Sequence, residues 1–455
     1  MKEEIIAVFD IGKTNKKLLL FDLNLKLVSE TEEKFQVTLD DDGFECDNIE
    51  KIEVWIRDTI DGLVRSDKYE LKAINFTTYG ATLVYLDSQG KRLTPVYNYL
   101  KPVSSDVTEG LYRNYGGIDE FSRRTASPPL GMLNSGIQAL WLKKEKPAVF
   151  SKVRTILHFP QYFSYLVSGR MLSEHTSIGC HTAIWDFDEM KYHRWVEDEG
   201  LPFPDPVDVE EVTECTIRGR KILVGTGLHD SSSSLAPYFA STAGDFLLIS
   251  TGTWSISMNP FNSSTLTGEE LRNDCLCYLG VNSKPVKSSR LFLGNMHDKA
   301  VAMLSHYFKV NEKSFRIIKP DARLLSKLQE RFGDGCVFTF KDGYNRNLRE
   351  EPDLFVFDNS IEAYHQLMVE LSDLAVESAS LVIPGDCTPE NIYITGGFSN
   401  NMIFTKLVAS SFPFSRVWTS EISNATALGA AAIMQKVLCP DNIIMPDLGL
   451  SEVKI

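Results

Sequence analysis

The 455-residue sequence lacks several features that would assign it at once to a class of protein. It has no run of the ~18–20 apolar residues that a membrane-spanning helix needs. Its start, MKEEIIAVFD, is acidic and has no basic segment followed by a long apolar stretch, so we do not expect a secretory signal. Eight cysteines spread over this length do not suggest a disulfide framework, and we interpret them as reduced thiols of a cytoplasmic protein.

Basic charge is also scarce. The formal net charge is −14, and no basic tract stands out. This argues against nucleic acid or an anionic membrane as a partner. An anionic small molecule stays possible in principle, because binding it requires only a local cluster of donors.

The length indicates two domains, since it exceeds what one hydrophobic core usually supports. Two segments share a pattern of apolar run, polar turn and second apolar run. They are IIAVFDIGKTNKKLLLFD at the start and DFLLISTGTWSISMNP roughly half the chain later. We predict that each half begins with a hairpin whose turn has the same task.

The turns carry residue types that suit phosphate binding. Glycine lets the backbone approach a ligand, and hydroxyls with exposed N–H groups form concavities that bind anions. In the first turn, Gly12 and Thr14 follow Asp10, while Lys13 and Lys16 can neutralise charge. Asp10 would repel phosphates, so we expect Mg²⁺ between them, held by Asp10 through water.

A third turn of this kind is the Gly-Gly pair of NIYITGGFSNN, between a strand pattern and a helical pattern. The sequence has no GxxxxGK[ST] motif and no strand-linked GxGxxG, so neither a P-loop nor a dinucleotide-binding fold is supported. Three phosphate-style turns without a Walker motif point to the actin-like ATPase architecture. A small-residue helix, ATALGAAAIMQKV, is predicted near the end of the chain.

The reacting group is predicted in GLHD, residues 227–230. Asp230 follows an apolar strand and a Gly-x-Gly bend, so we expect it to face a cleft. Phosphoryl transfer requires positioning, charge stabilisation and a carboxylate that accepts the acceptor's proton, which suits Asp230. An aspartate before serines is also typical of a helix N-cap. His229 can hydrogen-bond a sugar hydroxyl, whereas we interpret His181 as a core residue.

These motifs, in this order, resemble the FGGY carbohydrate kinases over nearly the whole chain. DIGKTNKK resembles the first phosphate motif, GLHD the catalytic-aspartate segment, STGTWS the second phosphate motif, TGGFSNN the adenosine motif and ALGAA the final connecting motif. The segment WLKKEKPAVFSKVRTILHFPQYFSYLVSG resembles the family's signature. The resemblance implies an α/β fold of two actin-like (ribonuclease H-like) domains, each a mixed sheet flanked by helices, with the active site in the cleft between them. We predict the domains at residues 1–240 and 241–455.

The resemblance also implies residue roles. Asp230 would be the general base, and the sugar pocket would include Gly80, His229, Ser231 and Asn295. The predicted contacts to ATP are Asp10, Gly12, Lys13, Thr14, Asn15, Lys16, Thr251, Gly252, Thr253, Gly396, Gly397 and Asn400. Asp10 would also hold Mg²⁺ through water.

Within the family, the HD pair followed by GTWS looks most like the rhamnulokinases, which phosphorylate a 6-deoxyketohexose. The resemblance implies O1 as the acceptor atom, with L-rhamnulose and L-fuculose both open. Lys17 stands where rhamnulokinases commonly have arginine, and Met303 stands where they often have glutamine. The segment TTYG lacks the Gly-Gln-His type sugar site of xylulose and glycerol kinases.

Two other interpretations stay open. One keeps catalysis but changes the acceptor to a polyol, a pentulose such as xylulose, or an aldonate. The other is a non-catalytic, actin-like nucleotide-binding regulator, favoured by the lysine-rich first turn and opposed by Asp230. We predict sugar and ATP as partners, and a homodimer is the assembly we consider.

Overall fold

A computed structural model describes residues 2–242, 244–333, 335–340, 346–385, 387–422 and 424–455. The strands of the first half are β1 (Glu3–Ile11), β2 (Lys16–Asp22), β3 (Leu27–Glu33), β4 (Thr38–Leu39), β5 (Glu45–Cys46), β6 (Tyr69–Thr78), β7 (Leu83–Leu86), β8 (Thr155–His158), β9 (Ser173–Glu174), β10 (Trp185–Asp186), β11 (Lys191–Tyr192), β12 (Pro206–Val207), β13 (Val212–Ile217), β14 (Arg220–Gly225) and β15 (Leu228–His229). Its helices are α1 (Ile49–Arg65), α2 (Ser105–Asn114), α3 (Gly117–Thr125), α4 (Ser135–Glu145), α5 (Pro147–Phe150), α6 (Phe159–Ser168), α7 (His175–Ile178), α8 (Arg194–Asp198), α9 (Asp230–Ser233) and α10 (Ala236–Ser241).

The second half has its own set of elements. Its strands are β16 (Phe246–Thr251), β17 (Ser255–Asn259), β18 (Cys275–Leu279), β19 (Pro285–Leu291), β20 (Asn391–Gly396), β21 (Arg416–Ser420) and β22 (Leu450–Glu452). Its helices are α11 (Gly268–Arg272), α12 (Leu293–Phe308), α13 (Ala322–Phe332), α14 (Ser360–Ser380), α15 (Met402–Ser411) and α16 (Ala425–Leu438). Short 3-10 turns lie at Gly131–Leu133, Glu312–Ile317, Leu354–Val356 and Gly397–Asn400.

Each half is built on a mixed sheet with the same local pattern. The first has the order β13-β14-β6-β1-β2-β3, with β15 also paired to β6, and the second has the order β18-β19-β17-β16-β20-β21-β22. β1 pairs antiparallel with β2 and parallel with β6. β16 pairs antiparallel with β17 and parallel with β20. The predicted hairpins are confirmed, and they occupy equivalent places in the two sheets.

The central strand β1 is buried on both faces, which explains its continuous apolar run. Ile5 and Phe9 face a core cluster that includes Ile52 of α1. Ile6 faces another cluster, which includes Ala430 of α16. Because α16 belongs to the second half of the sequence, this contact ties the two halves together.

The predicted helices lie close to their expected positions. The spacing of the apolar residues in MLNSGIQALWLKK predicts a helix over residues 133–144, and α4 spans Ser135–Glu145. α6 ends at Gly169, whose φ of +71° makes it the expected C-cap. The predicted domain boundary between residues 240 and 241 falls inside α10, and the division into domains stays a prediction. No helix in these ranges is long and apolar enough to cross a membrane.

Two apolar runs that follow each other closely in the sequence belong to different sheets. The two runs in AINFTTYGATLVYLD do not continue as neighbours in one sheet. β6 belongs to the first sheet, whereas β7 turns away after Gly80 and pairs with β8. β15 pairs instead with the last two residues of β6, Thr77 and Thr78. This exchange brings the GLHD segment beside Gly80.

Candidate active site

Three strands of the first sheet bring the predicted acidic residues to one edge. Asp10 of β1 lies opposite Thr77 of β6, and His229 of β15 lies opposite Thr78. These pairings are parallel, so the carboxyl ends of the strands meet at the same edge, where open α/β sheets bind ligands. Asp230 follows β15 directly and therefore lies at this edge with Asp10.

The carboxylate of Asp230 is held through one oxygen and open through the other. Oδ1 accepts the N–H of Ser231 at 2.6 Å and its hydroxyl at 3.2 Å, and lies 3.2 Å from Nε2 of His229. Oδ2 accepts no hydrogen bond from the residues that the structure describes, and 36% of the side chain is exposed. His229, and not Asp230, occupies the N-cap position of α9. The N-cap interpretation of Asp230 is therefore wrong.

Asp230 faces a cavity to which both halves contribute. The cavity has a volume of about 290 Å³, and its far wall includes Thr395 and Gly396 of β20 and Thr426 of α16. This cavity thus separates the carboxylate of Asp230, in the first half, from the third glycine turn, in the second half. This is the interdomain position that the fold class implies for an active site.

Asp10 is a carboxylate in an unfavourable setting. It accepts a hydrogen bond from Oγ1 of Thr77 at 2.9 Å. Its pKa is raised to about 6, mainly by burial and in part by the negative charge of Asp230, against the opposing effects of the Thr77 hydrogen bond and of Lys17. Two carboxylates at one cleft edge offer the oxygen ligands that a hydrated Mg²⁺ prefers. The residues therefore fit a divalent cation at Asp10.

The lysines of the first turn are engaged by a buried carboxylate. Nζ of Lys13 lies 2.8 Å from Oδ2 of Asp47, and Nζ of Lys16 lies 2.9 Å from Oδ1 of the same residue. Tyr79 donates its hydroxyl to Asp47 at 2.7 Å. Burial raises the pKa of Asp47, but the lysines outweigh it and the pKa is lowered overall. The Lys16 side chain is 3% exposed, so its amine points into the first half and not toward the cleft where a phosphate contact was expected.

The remaining groups of the first turn stay closer to solvent. Gly12 donates its N–H to the carbonyl of Asn15 at 3.0 Å, which closes the turn. Thr14 is exposed, and Oδ1 of Asn15 is buried without a hydrogen-bond partner in the described ranges. Lys17 extends to the second half, donating to Glu30 at 2.7 Å and to Oδ1 of Asn424 at 3.2 Å. Among the described residues, the hydroxyl of Thr14 and the carbonyl oxygen Oδ1 of the Asn15 side chain are thus the polar groups of this turn without a partner.

The second turn is shaped by close backbone approach. Gly252 donates its N–H to the carbonyl of Trp254 at 2.8 Å. A Cβ atom at Gly294 would lie 2.1 Å from the carbonyl oxygen of Gly252. Only glycine therefore lets the start of α12 pack on this turn. Thr253 is left exposed at the tip.

The third turn is locked to the second one. Gly396 has a φ of +85°, and a Cβ there would lie 1.7 Å from the carbonyl oxygen of Thr251. The hydroxyl of Thr251 donates to the carbonyl of Thr395 and accepts the N–H of Phe398 at 3.0 Å. The hydroxyl of Thr251, which was expected to contact ATP, thus makes its hydrogen bonds to the protein backbone instead.

A cavity of about 490 Å³ opens beside these two turns. Four of the predicted ATP contacts line it, namely Gly252, Thr253, Gly397 and Asn400. It is also lined by residues that sequence reasoning missed, among them Gly294, His297, Arg316 and Tyr364. They come from α12, the 3-10 turn after it and α14, and no local motif marks them. Met303, also on α12, packs against the core instead.

The predicted sugar-site residues are only partly brought together. Gly80 packs on His229, since a Cβ at Gly80 would lie 2.9 Å from Nε2 of His229. Burial lowers the pKa of His229, so its ring is neutral near pH 7. Ser231 is exposed next to Asp230. Asn295 lies in the first turn of α12, beside Gly294 and the second hairpin, and no hydrogen bond joins it to Gly80 or His229 in the described part of the chain.

His181 is not the core residue that the sequence suggested. It is half-buried and has a φ of +40°. With Arg290 it lines a cavity of about 210 Å³. The sequence offered no signal for this position, because the loop reaches the cleft only through its contact with β18, where Leu279 donates its N–H to the carbonyl of Gly179 at 3.1 Å.

Comparison with known proteins finds similarity to carbohydrate kinases. Residues 5–198 match the N-terminal domain of the FGGY family of carbohydrate kinases. A rhamnulokinase from Halalkalibacterium halodurans is 23% identical over 280 residues, a match that covers 54% of each chain. The chain thus spans about half the length of this curated relative.

Solved structures match over nearly the full length. A carbohydrate kinase from Novosphingobium aromaticivorans has a TM-score of 0.79 at 23% identity, covering 98% of this chain and 96% of that one. A ligand-bound xylulose kinase from Lactobacillus acidophilus has a TM-score of 0.74 at 17% identity, covering 99% and 93%. These likenesses confirm the predicted two-domain fold class. In its first half, over residues 5–198, the chain is thus similar to the N-terminal domain of the FGGY carbohydrate kinases.

Proposed function

We propose that the protein is an ATP-dependent sugar kinase in which Asp230 is the general base. The observation that carries this proposal is the half-exposed carboxylate of Asp230 at the edge of the first sheet, facing the third glycine turn across a shared cavity. A free Oδ2 is what a proton acceptor requires. A pure nucleotide binder has no use for such a group.

In the proposed reaction, the acceptor hydroxyl hydrogen-bonds to Asp230 and loses its proton as its oxygen attacks the γ-phosphorus of ATP. ADP leaves, and the proton stays on the carboxylate until it passes to solvent. The backbone N–H groups of the Gly12 and Gly252 turns would bind the phosphates, and Thr253, Gly397 and Asn400 would line the adenosine side. Such a reaction relies mainly on positioning and electrostatics.

A Mg²⁺ ion held by Asp10 through water would neutralise phosphate charge when bound. The raised pKa of Asp10 supports this role, because a nearby cation would relieve the repulsion between Asp10 and Asp230. Lys16 has a different part in this proposal. Its amine pairs with the carboxylate of Asp47, and this contact stabilises the conformation of the first turn.

The acceptor we propose is a 6-deoxyketohexose such as L-rhamnulose or L-fuculose, phosphorylated on O1. This finer assignment is supported by the HD–GTWS pattern and by the likeness to rhamnulokinases over half the chain. Gly80, His229, Ser231 and Asn295 would surround the sugar after closure of the two halves. The domain boundaries, a cytoplasmic location and a homodimer stay predictions.

The test of Asp230 is the variant Asp230→Asn, assayed by sugar-dependent release of ADP. We expect kcat to fall by ~10²–10⁴, because the amide cannot accept the proton. The matched control is Asp245→Asn, an exposed aspartate at the opposite end of β16 from its turn, which should retain full activity. Activity of Asp230→Asn within tenfold of the parent would rule out the base.

A second candidate function is that of a sugar kinase with another acceptor, since one similar fold is that of a xylulose kinase. A panel of L-rhamnulose, L-fuculose, xylulose, gluconate and glycerol in the same assay separates the acceptors by kcat/KM. ATP binding without turnover on any of them would instead favour the non-catalytic regulator.

A further inference from the structure

A second cavity adjoins Asp230 and has no assigned role. Its volume is about 210 Å³, and it lies between α9 and one face of the second sheet. Ser231 and Ser234 line both this cavity and the one that contains the carboxylate of Asp230. A ligand whose hydroxyl meets Asp230 can therefore extend into this space. The cavity is also separate from the 490 Å³ cavity, which Gly252 and Thr253 line.

Arg290 gives this cavity an unused donor. On β19, its Nη2 donates to Asp274 at 2.8 Å, and its guanidinium lies 5.8 Å from the ring centroid of Trp254 in the second turn. Its Nε is buried without a hydrogen-bond partner among the described residues. Because Arg290 lines the cavity, the N–H groups of its guanidinium that Asp274 does not use can donate to a ligand oxygen there.

His181 lies on the opposite wall and is held in place by its backbone. Its carbonyl accepts Nδ2 of Asn134 at 2.8 Å. The pKa of His181 is lowered to about 3, mainly by burial and to a smaller extent by its neighbours His229 and Arg290. The ring is therefore neutral near pH 7. Its Nδ1 lies 3.3 Å from Sγ of Cys180, which leaves Nε2 to hydrogen-bond a hydroxyl group.

The third wall is mostly apolar. Ile256 is paired across the strands with Arg290, and it is followed on the same face by Met258, with Leu276 from β18 nearby in the lining. These three side chains have no hydrogen-bonding group to offer. A hydroxyl facing them would lose its water without compensation, whereas a carbon without oxygen would not.

We propose that this cavity binds the end of the acceptor sugar remote from the hydroxyl that meets Asp230. Arg290 and His181 hydrogen-bond its hydroxyls, and the wall of Ile256, Met258 and Leu276 contacts a terminal carbon that carries no hydroxyl. The ligand class is a ketose with a terminal methyl group. This inference rests on the proposed kinase function and adds the residues that determine its specificity.

The first experiment compares Arg290→Met with Arg416→Met. Arg416 is a matched control, because it also lies in a strand of the second sheet, pairs with one carboxylate (Glu452, 3.4 Å) and covers a tryptophan ring (Trp418, 4.7 Å). For Arg290→Met we expect the KM for the deoxyketose to rise about 10- to 100-fold, as for loss of a hydrogen bond to a charged group, with the KM for ATP unchanged within twofold. Arg290→Lys should recover part of the loss.

An unchanged sugar KM in Arg290→Met would overturn the assignment while leaving the kinase function intact. A wild-type enzyme that phosphorylates no sugar in the panel would overturn both. An unchanged melting temperature and KM for ATP would show that the variant is folded, so the two failures are distinguishable.

The second experiment tests the apolar wall with Ile256→Thr, which introduces a hydroxyl and shortens the side chain by one carbon. The wild type should prefer the 6-deoxyketose over its 6-hydroxy counterpart in kcat/KM by about tenfold or more. The variant should reduce this ratio severalfold. An unchanged ratio would contradict the contact between this wall and the methyl group.

Discussion

The first and second hairpin turns occupy equivalent places in the two sheets but are stabilised in different ways. The first is anchored by charge, since Lys13 and Lys16 converge on the buried Asp47. The second is stabilised by close backbone packing, because Gly294 has no side chain and can lie directly against the carbonyl of Gly252. The task proposed for both turns, binding phosphate at the cleft, would thus be supported by an ion cluster in one half and by close backbone packing in the other.

This difference shows where each turn is vulnerable. A buried ion cluster is damaged most when one partner is removed, because the other charges are left without compensation. A glycine contact is damaged by any added carbon, because the backbone it meets cannot move aside cheaply. The following predictions test the comparison, from the largest expected effect to the smallest.

The largest effect is expected for Asp47→Asn. It leaves the amine of Lys16, whose side chain is 3% exposed, without its carboxylate. Breaking a buried pair from one side typically costs about 3–5 kcal/mol in the free energy of unfolding. Urea denaturation measures this loss, with Glu32→Gln as the control, since its pair with Lys34 is exposed and 3.6 Å long. Equal losses in both variants would show that the first turn is not anchored by charge.

The next effect concerns Asp10 and pH. Its folded-state pKa is raised from 3.8 to about 6, so the folded protein binds this proton more tightly than the unfolded chain. The free energy of unfolding should therefore fall as the pH rises from about 4 to 6, by up to about 3 kcal/mol. Asp10→Asn should remove this fall and be more stable than the parent at pH 8, and no more stable at pH 4.

The binding of Mg²⁺ and ATP gives a second measurement that depends on Asp10. Mg²⁺-dependent affinity for ATP should weaken as the pH drops below about 6, because the protonated Asp10 no longer attracts the cation. The variant should show weak, pH-independent Mg²⁺ coupling in calorimetric titrations. A parent protein whose Mg²⁺ coupling is constant from pH 5 to 8 would argue against a metal at Asp10.

Gly294→Ala tests the second turn. The new Cβ would lie 2.1 Å from the carbonyl oxygen of Gly252, so the turn must shift at a cost of about 1–3 kcal/mol. We expect ATP affinity, measured by calorimetry, to fall about tenfold. In the control Gly268→Ala, the nearest atom to the new Cβ is the end of the Arg272 side chain at 3.5 Å. If the two variants bind ATP equally, close packing does not shape this turn.

The smallest effect is expected for Lys17→Met. Lys17 contacts Glu30 and, across the cleft, Asn424, but it is partly exposed. Surface ion pairs contribute about 0.2–1 kcal/mol, and thermal unfolding should show a loss in this range that shrinks in high salt. Lys221→Met removes a pair within one half at 2.8 Å and is the control. A loss well above that of Lys221→Met would mean that the contact between the halves is a main anchor.

Much of this architecture could be predicted from local patterns. The apolar runs around Asp10 and around Thr251 predicted two hairpins, and both exist with the expected turns. These features were accessible because burial of a strand on both faces forces a continuous apolar run. The predicted small-residue helix is also present as α16, and its small residues permit close packing, since a Cβ at Gly429 would lie 2.0 Å from the carbonyl oxygen of Ser233.

Side-chain partners were not accessible in the same way. Asp47 lies 31 residues from Lys16 in the sequence, in a segment that carries no motif. It nevertheless determines where both lysines of the first turn point. Arg290, His297 and Tyr364 likewise carry no motif and meet the cleft only because separate elements converge there. The position of His181 was misjudged for the same reason.

The sequence by itself determined the strands, the three glycine turns and the aspartate that follows β15, because backbone conformation and burial leave a local signature in residue type. Only the tertiary structure decided which charged side chains of those turns are paired with other residues, which cavities flank Asp230 and which distant residues line those cavities. Electrostatic and packing contacts depend on distance in space, and a chain that folds back on itself does not record that distance in its local order.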